Sequence, residues 1–254
     1  MEFTLDVSDF EARFGGIQRL YGRTGLKRLR AAHVVVIGVG GVGSWAVEAL
    51  ARSGIGRLTL IDADEVCVSN VNRQLPALDG EIGIAKVESL ARRMRAINPE
   101  IAIEVKQDFF TPETADKMLS EKFDFVVDAI DTLANKALLI SECRKRGMRV
   151  IASGGAGGRK DGTLVRVADL AQASHDPLLQ KVRKKLRAEF GFPSDARLPF
   201  GIPAVYSPEL PTAPESCEAG LRMDCNSGYG AVTFVTGTFG FAAAGWVVNS
   251  IAAG

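Results

Sequence analysis

The stretch Val34-Val35-Val36-Ile37-Gly38-Val39-Gly40-Gly41-Val42-Gly43-Ser44 decides the fold of this chain. Its first four residues are apolar and β-branched, which predicts a strand buried on both faces of a parallel sheet. The glycines predict a tight turn, and the apolar spacing after them predicts a helix. Because glycine has no Cβ, backbone N–H groups in such a turn can approach a phosphate at the helix N-terminus. The stretch therefore predicts the strand–turn–helix unit of a nucleotide-binding fold.

An acidic residue follows the second predicted strand, as this kind of turn requires. Arg57–Ile61 has the pattern of a strand, and Asp62 comes nineteen residues after Gly43. A carboxylate at that place can accept hydrogen bonds from both ribose hydroxyls of a nucleotide. The turn and the carboxylate do not decide which nucleotide is bound, since an NAD-dependent oxidoreductase would use both features.

Composition indicates a folded protein of a reducing compartment. The chain has 254 residues, of which 46% are hydrophobic and 24% charged, the proportions of an ordinary globular domain. A net charge of +1 excludes a general attraction to nucleic acid, so such contact needs a local basic patch. Four cysteines without a CxxC pair favour free thiols over disulfides or zinc. The acidic N-terminal residues do not resemble a signal peptide, and we expect a cytoplasmic protein.

Strands alternating with helices predict an α/β fold with a doubly wound, mostly parallel, Rossmann-like sheet. We expect a single domain, residues 1–254, with extra C-terminal strands and a buried C-terminal helix. Its parts are N-terminal helices (1–32), a nucleotide-binding half (33–153) and a substrate and dimer half (154–254), with a mobile crossover loop at about 191–228. The N-terminal part is predicted to form two short helices, whose apolar face contains Phe10, Phe14, Ile17, Leu20 and Tyr21.

The second half contains a glycine cluster, a basic helix and an apolar helix. The glycine cluster is Ser153-Gly154-Gly155-Ala156-Gly157-Gly158, and residues 176–190 have amphipathic helical spacing with many cations. Residues 229–253 are almost uncharged and long enough to cross a membrane. Their glycines and threonines and the lack of a basic flank favour a buried core helix, with Phe239, Phe241 and Trp246 packed on the sheet.

A polar loop and a lysine follow Asp62. Their side chains are expected to converge at the carboxyl edge of the sheet, where two cations suit a triphosphate better than a dinucleotide. The residues are Asn70, Arg73, Gln74 and Lys86. Asp128 and Asp131 come at the end of the fourth predicted strand. A carboxylate there suits a magnesium ion that is bound through one or two carboxylates and phosphate oxygens.

Five motifs in order resemble the ThiF/MoeB/HesA superfamily, the adenylating enzymes related to ubiquitin-activating enzymes. The motifs are the glycine turn (38–44), Asp62-Ala63-Asp64, Ser69-Asn70-Val71-Asn72-Arg73-Gln74, Lys86 and Asp131. The resemblance runs from about residue 13 to the C-terminal helix. It implies a Rossmann-like fold, ATP and Mg²⁺ as cofactors, and adenylation of a substrate carboxylate.

The resemblance also implies residue roles. Asp62 would hold the ribose, Arg73 and Lys86 the β- and γ-phosphates, and Asp131 the magnesium ion. Arg13 would complete the site of the partner subunit in a homodimer. The implied catalytic residues are Arg13, Arg73, Lys86 and Asp131. The implied nucleotide-binding residues are Gly38, Gly40, Gly41, Gly43, Ser44, Asp62, Asp64, Asn70, Arg73, Gln74 and Lys86.

Departures from the superfamily pattern narrow the expected function. The usual paired CxxC zinc motifs are absent, Thr132 follows Asp131 in place of asparagine, and Asn135-Lys136 replaces the usual arginine. No segment is long enough for a separate catalytic-cysteine domain. The chain instead resembles one subgroup, the tRNA threonylcarbamoyladenosine dehydratases. That resemblance rests on Asp131-Thr132, Lys136, the glycine cluster, Asp176-Pro177, the basic helix and residues 224–228.

The subgroup implies ATP-dependent dehydration and cyclisation of threonylcarbamoyladenosine in tRNA through an acyl adenylate. The alternatives are adenylation of a ubiquitin-like sulfur carrier and, less favoured, an NAD-dependent oxidoreductase. The implied partners are a second copy of the chain and tRNA; a cysteine desulfurase or sulfur-acceptor system stays open, and a membrane is not expected. Cys225 is expected to be structural. The residues expected to contact RNA are Arg159, Lys160, Lys181, Arg183, Lys184, Lys185 and Arg187.

Overall fold

The computed structural model describes residues 9–195, 197–214 and 229–254. In that part of the chain, seven strands form one sheet in the order β3-β2-β1-β4-β5-β7-β6. The strands are β1 (His33–Ile37), β2 (Arg57–Ile61), β3 (Ala102–Lys106), β4 (Phe125–Asp128), β5 (Val150–Ser153), β6 (Arg166–Asp169) and β7 (Pro203–Tyr206). The helices are α1 (Asp9–Ala31), α2 (Gly43–Arg52), α3 (Lys86–Ile97), α4 (Ala115–Met118), α5 (Leu133–Lys145), α6 (Pro177–Glu189) and α7 (Thr233–Ala253).

The sheet is doubly wound and mostly parallel, which confirms the predicted fold class. Neighbouring strands run parallel from β3 across to β7, and β6 is antiparallel to β7. Because β1 lies between β2 and β4, the chain winds outwards in both directions from this point. In doubly wound sheets, ligands bind outside the carboxyl ends of the strands at such a reversal.

Helices cover both faces of the sheet because β1 is apolar on both. Val34 and Val36 pack into a cluster with residues of α2, α3 and α7. Val35 and Ile37 point to the opposite face and pack with residues of α4, α5 and α6. All five positions of β1 are buried, as the apolar run Val34–Ile37 predicts for four of them.

The N-terminal helix is broken at Gly22, whose φ of 74° and ψ of 169° are not helical. The predicted pair of short helices is therefore present, one segment on each side of this glycine. Phe10 and Phe14 are buried, with ring centroids 4.6 Å apart. The prediction that Leu20 shares their apolar face is wrong, because Leu20 is 74% exposed.

The C-terminal helix α7 is a core helix that packs closely on α2. A Cβ at Gly240 would lie 2.5 Å from the carbonyl oxygen of Val42, so the two backbones are in near contact. Thr233–Ala253 is long and apolar enough to cross a membrane, and 56% of its most apolar window is buried in the protein. Phe239 is fully buried, but Phe241 and Trp246 are 50% and 42% exposed. The prediction that all three pack on the sheet therefore holds only for Phe239.

The predicted crossover loop at 191–228 contains an unforeseen strand. β7 (Pro203–Tyr206) pairs with both β5 and β6, and it occupies the centre of the C-terminal part of the sheet. The expectation of one mobile loop is therefore wrong for these residues. Residues 215–228, with Cys217, Cys225 and the motif at 224–228, lie outside the described residues.

Candidate active site

A cavity of about 860 Å³ opens at the carboxyl ends of the central strands, a size typical of small-molecule sites. We name its two sides by the glycine segments that form them. The glycine-turn side is lined by Gly38, Gly40, Gly41, Asp62, Asp64, Asn70, Arg73, Gln74, Lys86 and residues 108–111. The glycine-cluster side is lined by residues 153–157, Leu178, Tyr229, Ala231 and Thr236. The segment after β4, with Asp131, lines the floor between them.

The glycine turn has one residue in the left-handed region of backbone conformation and two close contacts between backbones. Gly38 has a φ of +83°, which favours glycine, and a Cβ there would lie 2.8 Å from the carbonyl oxygen of Ala129. A Cβ at Gly43 would lie 1.9 Å from the carbonyl oxygen of Gly38. Gly40 and Gly41 line the cavity and have only side chains near them. These two glycines therefore leave space for a ligand, whereas Gly43 is required for packing.

Ser44 and Gly43 do not line the cavity, so their prediction as nucleotide contacts is not supported by the geometry. Ser44 is fully buried, and its Oγ accepts a hydrogen bond of 3.2 Å from the backbone N–H of Leu75. It therefore fastens the polar loop to the start of α2 instead of facing a ligand.

Asp62 holds the glycine turn in shape from the end of β2. Its Oδ2 accepts a hydrogen bond of 2.7 Å from the N–H of Val39, and its Oδ1 accepts one of 2.9 Å from the N–H of Asp64. Burial raises the pKa of this carboxyl, and the nearby ammonium of Lys86 opposes the rise. A carboxylate at the cavity wall with spare lone pairs can also accept hydrogen bonds from ribose hydroxyls.

Lys86 brings a nearly buried positive charge to the cavity. The residue is 5% exposed, and its Nζ lies 2.7 Å from Oδ2 of Asp64. The Asp64 side chain is 55% exposed. The pair joins a buried cation to a solvated anion, so an incoming phosphate can replace Asp64 as the partner of Lys86 without leaving a buried carboxylate unpaired.

The polar loop presents Arg73, Asn70 and Gln74 to the same side. Arg73 donates to the carbonyl oxygen of Ser69 at 2.7 Å, which fixes its guanidinium. Asn70 Oδ1 accepts the N–H of Cys67 at 3.1 Å and so shapes the short 3-10 turn before Arg73. Gln74 is buried, and its Oε1 has no hydrogen-bond partner among the described residues. The predicted cluster of polar side chains on this side is therefore present.

Asp131 is an exposed carboxylate on the cavity floor. The residues described contain no group of three or more His, Cys, Asp or Glu side chains able to hold a metal. A cage made by the protein alone is thus absent from this part of the chain. A single carboxylate that shares the ion with phosphate oxygens is the usual arrangement for Mg²⁺, and Asp131 fits it.

Asp128, the other acidic residue at the end of β4, is not available to a ligand. It forms an ion pair with Lys136 of α5, with Nζ 2.8 Å from Oδ1, and both side chains are 0% exposed. Asp128 Oδ1 also accepts the N–H of Ile130 at 3.1 Å. The pair therefore holds the backbone that leads to Asp131. The sequence indicated both residues, but not their contact, which depends on α5 packing beneath the floor.

The glycine-cluster side is supported by a second buried ion pair. Asp176 caps α6 through the N–H of Leu179, accepts the N–H of Gly155 at 2.9 Å, and lies 3.2 Å from Nη2 of Arg159. A Cβ at Gly154 would lie 2.3 Å from Asp176 Oδ2, so only glycine fits against this carboxylate.

The ion pair corrects one expected RNA contact. Arg159 is 3% exposed, and its guanidinium faces Asp176 and several carbonyl oxygens. It is a structural residue of the interior. Its neighbour Lys160 is exposed and stays a candidate.

The basic helix α6 is less free than its sequence indicates. Arg183 donates to the carbonyl oxygen of Leu170, and Arg187 to that of Pro193. Burial lowers the pKa of Arg183. Lys185 is paired with Glu189 at 2.6 Å. The prediction that Arg183 and Arg187 are free to contact RNA is therefore wrong. The part of the predicted RNA patch that faces solvent is small. Its exposed cations are Lys181 and Lys184.

Arg13 does not line the cavity of its own chain. Its Nε lies 2.7 Å from the exposed Asp9 carboxylate, and its Nη1 reaches the carbonyl oxygen of Ile97 at 3.4 Å. Its role in the site of a partner subunit stays a prediction.

Several cavity-lining aromatic residues were missed. Phe109 and Phe110 follow β3, and Tyr229 precedes α7. Loops after parallel strands form the crevice of a doubly wound sheet, and this rule could have indicated the two phenylalanines. Tyr229 carries no comparable signal, since its place depends on the fold of the C-terminal segment.

Comparison with known proteins gives one consistent result. A model of the ThiF family matches residues 16–252. A tRNA threonylcarbamoyladenosine dehydratase of Haemophilus influenzae is 48% identical over 248 residues, which cover 96% of this chain and 95% of that protein. A solved structure is also similar, namely the crystal structure of the Escherichia coli tRNA N6-threonylcarbamoyladenosine dehydratase TcdA in complex with ATP. The sequence of its chain is 44% identical to this one. The structure superimposes with a TM-score of 0.89 and covers 97% of each chain. The adenylyltransferase and sulfurtransferase MOCS3 of Anopheles gambiae is also similar, with 39% identity over 48% of this chain.

Proposed function

The chain belongs to the ThiF family, and we propose that it uses ATP to adenylate and cyclise threonylcarbamoyladenosine in tRNA. The observation that carries the proposal is one cavity in which a side with two cations, Arg73 and Lys86, adjoins a second side whose described lining residues are uncharged. The H. influenzae relative is named a tRNA threonylcarbamoyladenosine dehydratase, and the match covers nearly the whole of both chains. The E. coli relative was crystallised with ATP. Both findings support the same substrate pair for this protein.

ATP would occupy the glycine-turn side. Its ribose would bond to Asp62, and its phosphates would lie along Gly40 and Gly41 towards Arg73 and Lys86. Lys86 would exchange the exposed Asp64 for a phosphate. This side supplies what a triphosphate needs, namely open backbone at the turn and two cations in a partly dry site.

The threonyl carboxylate would enter beside the nucleotide and attack the α-phosphorus of ATP, with pyrophosphate as the leaving group. The carbamoyl nitrogen of the same nucleoside then attacks the acyl carbon. AMP leaves with one oxygen of the former carboxylate, and a proton is released from the nitrogen. The nucleoside has thereby lost the elements of one water molecule, and ATP has become AMP and pyrophosphate.

The residues of the chain would act through position and charge. Arg73 and Lys86 would neutralise charge that develops on the phosphates, an effect that typically accounts for roughly 10²- to 10³-fold per donor. A protein thioester is not needed, because the capturing nitrogen belongs to the substrate. Burial raises the pKa of Cys143 to about 12, so this thiol is not a nucleophile at neutral pH.

Magnesium would be held by Asp131 together with phosphate oxygens, where it would add positive charge near the reacting phosphates. The buried Asp128–Lys136 pair would keep the Asp131 backbone in place for this task.

We also propose that the protein works as a homodimer in which Arg13 completes the neighbouring site. Neither Arg13→Ala nor Lys86→Ala protein should be active alone. A mixed dimer would contain one intact site, since an Arg13→Ala chain keeps Lys86 and receives Arg13 from its partner. Mixing the two inactive variants should therefore restore part of the activity, and the absence of any recovery would contradict the exchange of Arg13.

The protein would act in the cytoplasm, where tRNA is available, and α7 would stay in its core. Recovery in the high-speed supernatant without detergent is the expected result. A sulfur-transfer partner would be an addition to this activity and is not required by the proposed reaction.

The proposed function is tested by mass spectrometry of nucleosides from tRNA that carries threonylcarbamoyladenosine. With protein and ATP, the modified nucleoside should lose one water, and AMP and pyrophosphate should form in equal amounts. NAD should not replace ATP. An unchanged nucleoside, combined with ATP-dependent adenylation of a sulfur-carrier protein, would favour the MOCS3-like alternative.

A further inference from the structure

We propose that Tyr229 is the stacking platform for the purine base of the modified nucleoside, which makes the glycine-cluster side a nucleoside subsite. The inference rests on the proposed function, because it assigns a place to the second substrate of that reaction. It adds a specificity-determining residue that neither the motifs nor the polar cradle contains.

The position of Tyr229 leaves its ring available to a second substrate. Tyr229 lines the cavity and is 53% exposed. The other strongly exposed ring among the described lining residues, Phe109, follows β3 on the opposite side. ATP is drawn to that opposite side, since Arg73 and Lys86 are there. The ring of Tyr229 is thus left for the substrate that approaches from the glycine cluster.

The backbone of the glycine cluster holds Tyr229 in a defined place. A Cβ at Gly158 would lie 2.9 Å from Cδ1 of Tyr229, and a Cβ at Gly157 would lie 3.0 Å from its Cβ. The N–H of Gly158 donates to the carbonyl oxygen of Gly230 at 2.7 Å. Tyr229 therefore packs against glycine backbone while about half of the residue stays exposed, so little ordering is needed when a base stacks on its ring.

The chemistry of this side suits a base and not a charged group. Its described lining residues are glycines, small residues, Leu178 and Tyr229, and none of these carries a charge. Unpaired bases of RNA are commonly held by stacking on aromatic side chains, and enzymes that modify a base take it out of the helical stack. A flexible peptide tail of a protein carrier would gain much less from an aromatic face.

The two sides of the cavity are in contact where Thr236 meets Arg73. Thr236 lines the glycine-cluster side, and its Oγ1 lies 3.3 Å from the carbonyl oxygen of Arg73. A Cβ at Gly41 would touch both residues, 3.5 Å from Thr236 and 3.6 Å from Arg73. A nucleoside on Tyr229 would direct its threonyl carboxylate towards the phosphates, and the described lining of the glycine-cluster side, which it would leave, carries no charge.

Three variants of Tyr229 separate stacking from simple packing. Tyr229→Phe keeps the aromatic face, Tyr229→Leu keeps apolar volume without it, and Tyr229→Ala removes both. Steady-state kinetics with modified tRNA should give a KM close to that of the wild type for Tyr229→Phe. The KM should rise roughly tenfold for Tyr229→Leu and Tyr229→Ala, as expected for the loss of one stacked base. The Kd for ATP, measured by calorimetry, should not change in any of them.

Phe234→Ala is the matched control, because Phe234 is 60% exposed on α7 but does not line the cavity. It should leave the KM for tRNA unchanged. A wild-type KM for Tyr229→Ala, an equal loss for Phe234→Ala, or a weaker ATP affinity in Tyr229→Ala would overturn the inference. Failure of the proposed function would be visible earlier and separately, as a wild-type protein that does not convert modified tRNA; that result would overturn both.

Discussion

The two sides of the cavity are built by different means. The glycine-turn side carries charged side chains: Lys86 pairs with Asp64, and Asp62 accepts hydrogen bonds from two backbone N–H groups. The glycine-cluster side is made of backbone and one aromatic ring, with its charges buried beneath it in the Arg159–Asp176 pair. The difference explains why the sequence motifs predict a phosphate and ribose site on the first side, whereas the proposed base site on the second side has no comparable motif.

The floor of the cavity and the glycine-cluster side each depend on a buried ion pair. Lys136 and Asp128 hold the floor that leads to Asp131, and Arg159 and Asp176 hold the second glycine cluster. Breaking a buried pair is strongly destabilising, because one charge is left without compensation. Variants in the two sides should thus separate what holds the cavity together from what reacts in it.

The largest expected effect is on stability. Lys136→Met should lower the free energy of unfolding by about 3 to 5 kcal/mol, since it leaves the Asp128 carboxylate buried and unpaired. Urea unfolding measures this change. The double variant Asp128→Asn/Lys136→Met should recover most of the loss, because no buried charge remains. A single variant as stable as the wild type would contradict the role given to this pair.

The same variant has a predicted pH dependence. Burial raises the pKa of Asp128, and Lys136 opposes the rise, so removal of Lys136 should raise this pKa further. The folded variant then holds a proton that the unfolded chain releases, and stability falls as pH rises between the two pKa values. The loss relative to the wild type should be largest at neutral pH and should shrink as pH falls towards the ordinary aspartate value of about 3.9.

The next effect is on chemistry at the glycine-turn side. Lys86→Met should reduce pyrophosphate formation roughly 10²- to 10³-fold, because one cation at the reacting phosphates is lost. Lys117→Met is the control, since Lys117 is exposed on α4, and it should keep full activity. Near-normal pyrophosphate formation by folded Lys86→Met protein would contradict the assignment of ATP to this side.

A pair of glycine variants contrasts the two sides directly. Gly154→Ala should cost about 1 to 3 kcal/mol of stability through overpacking, because its Cβ would lie 2.3 Å from the buried Asp176. Gly41→Ala should leave stability nearly unchanged, since its nearest neighbours would be 3.5 Å away, yet it should weaken ATP binding. Thermal unfolding measures the stability of both variants, and calorimetry measures their ATP affinity. A loss of stability in Gly41→Ala together with weaker ATP binding in Gly154→Ala would contradict these assignments.

The smallest effect is expected at the surface of α6. Changing Lys181 and Lys184 to Glu should weaken tRNA binding, and the slope of log affinity against log salt should fall by about two. ATP affinity should stay the same. Arg183 and Arg187 are unsuitable for this test, because both are tied to carbonyl oxygens. An unchanged salt slope would place the RNA elsewhere.

The sequence predicted the glycine-turn side because its signals are local. The strand, the turn and the start of α2 are adjacent in the chain, and Asp62 ends the next strand. The predicted contact of Ser44 with the nucleotide is not supported by the geometry, because Ser44 Oγ accepts the N–H of Leu75, thirty-one residues away. A hydroxyl beside a phosphate-binding turn looks the same in sequence whether it faces a ligand or fastens a loop.

The second half was harder to predict because its contacts are distant. β7 has four residues and gains its place by pairing with β5 and β6. Arg159 looked like a surface cation, and its burial depends on Asp176. The prediction that Phe241 and Trp246 are buried was wrong because α7 is apolar on all sides. Its sequence therefore does not reveal which face meets the sheet.

The central claim is that ATP and the modified nucleoside meet in one cavity and form an acyl adenylate. It is tested most directly with tRNA whose threonyl carboxylate carries oxygen-18. Attack of this carboxylate on the α-phosphorus, followed by cyclisation, should transfer one labelled oxygen to AMP, as measured by mass spectrometry. Label that appears in water or in orthophosphate, with none in AMP, would contradict the account.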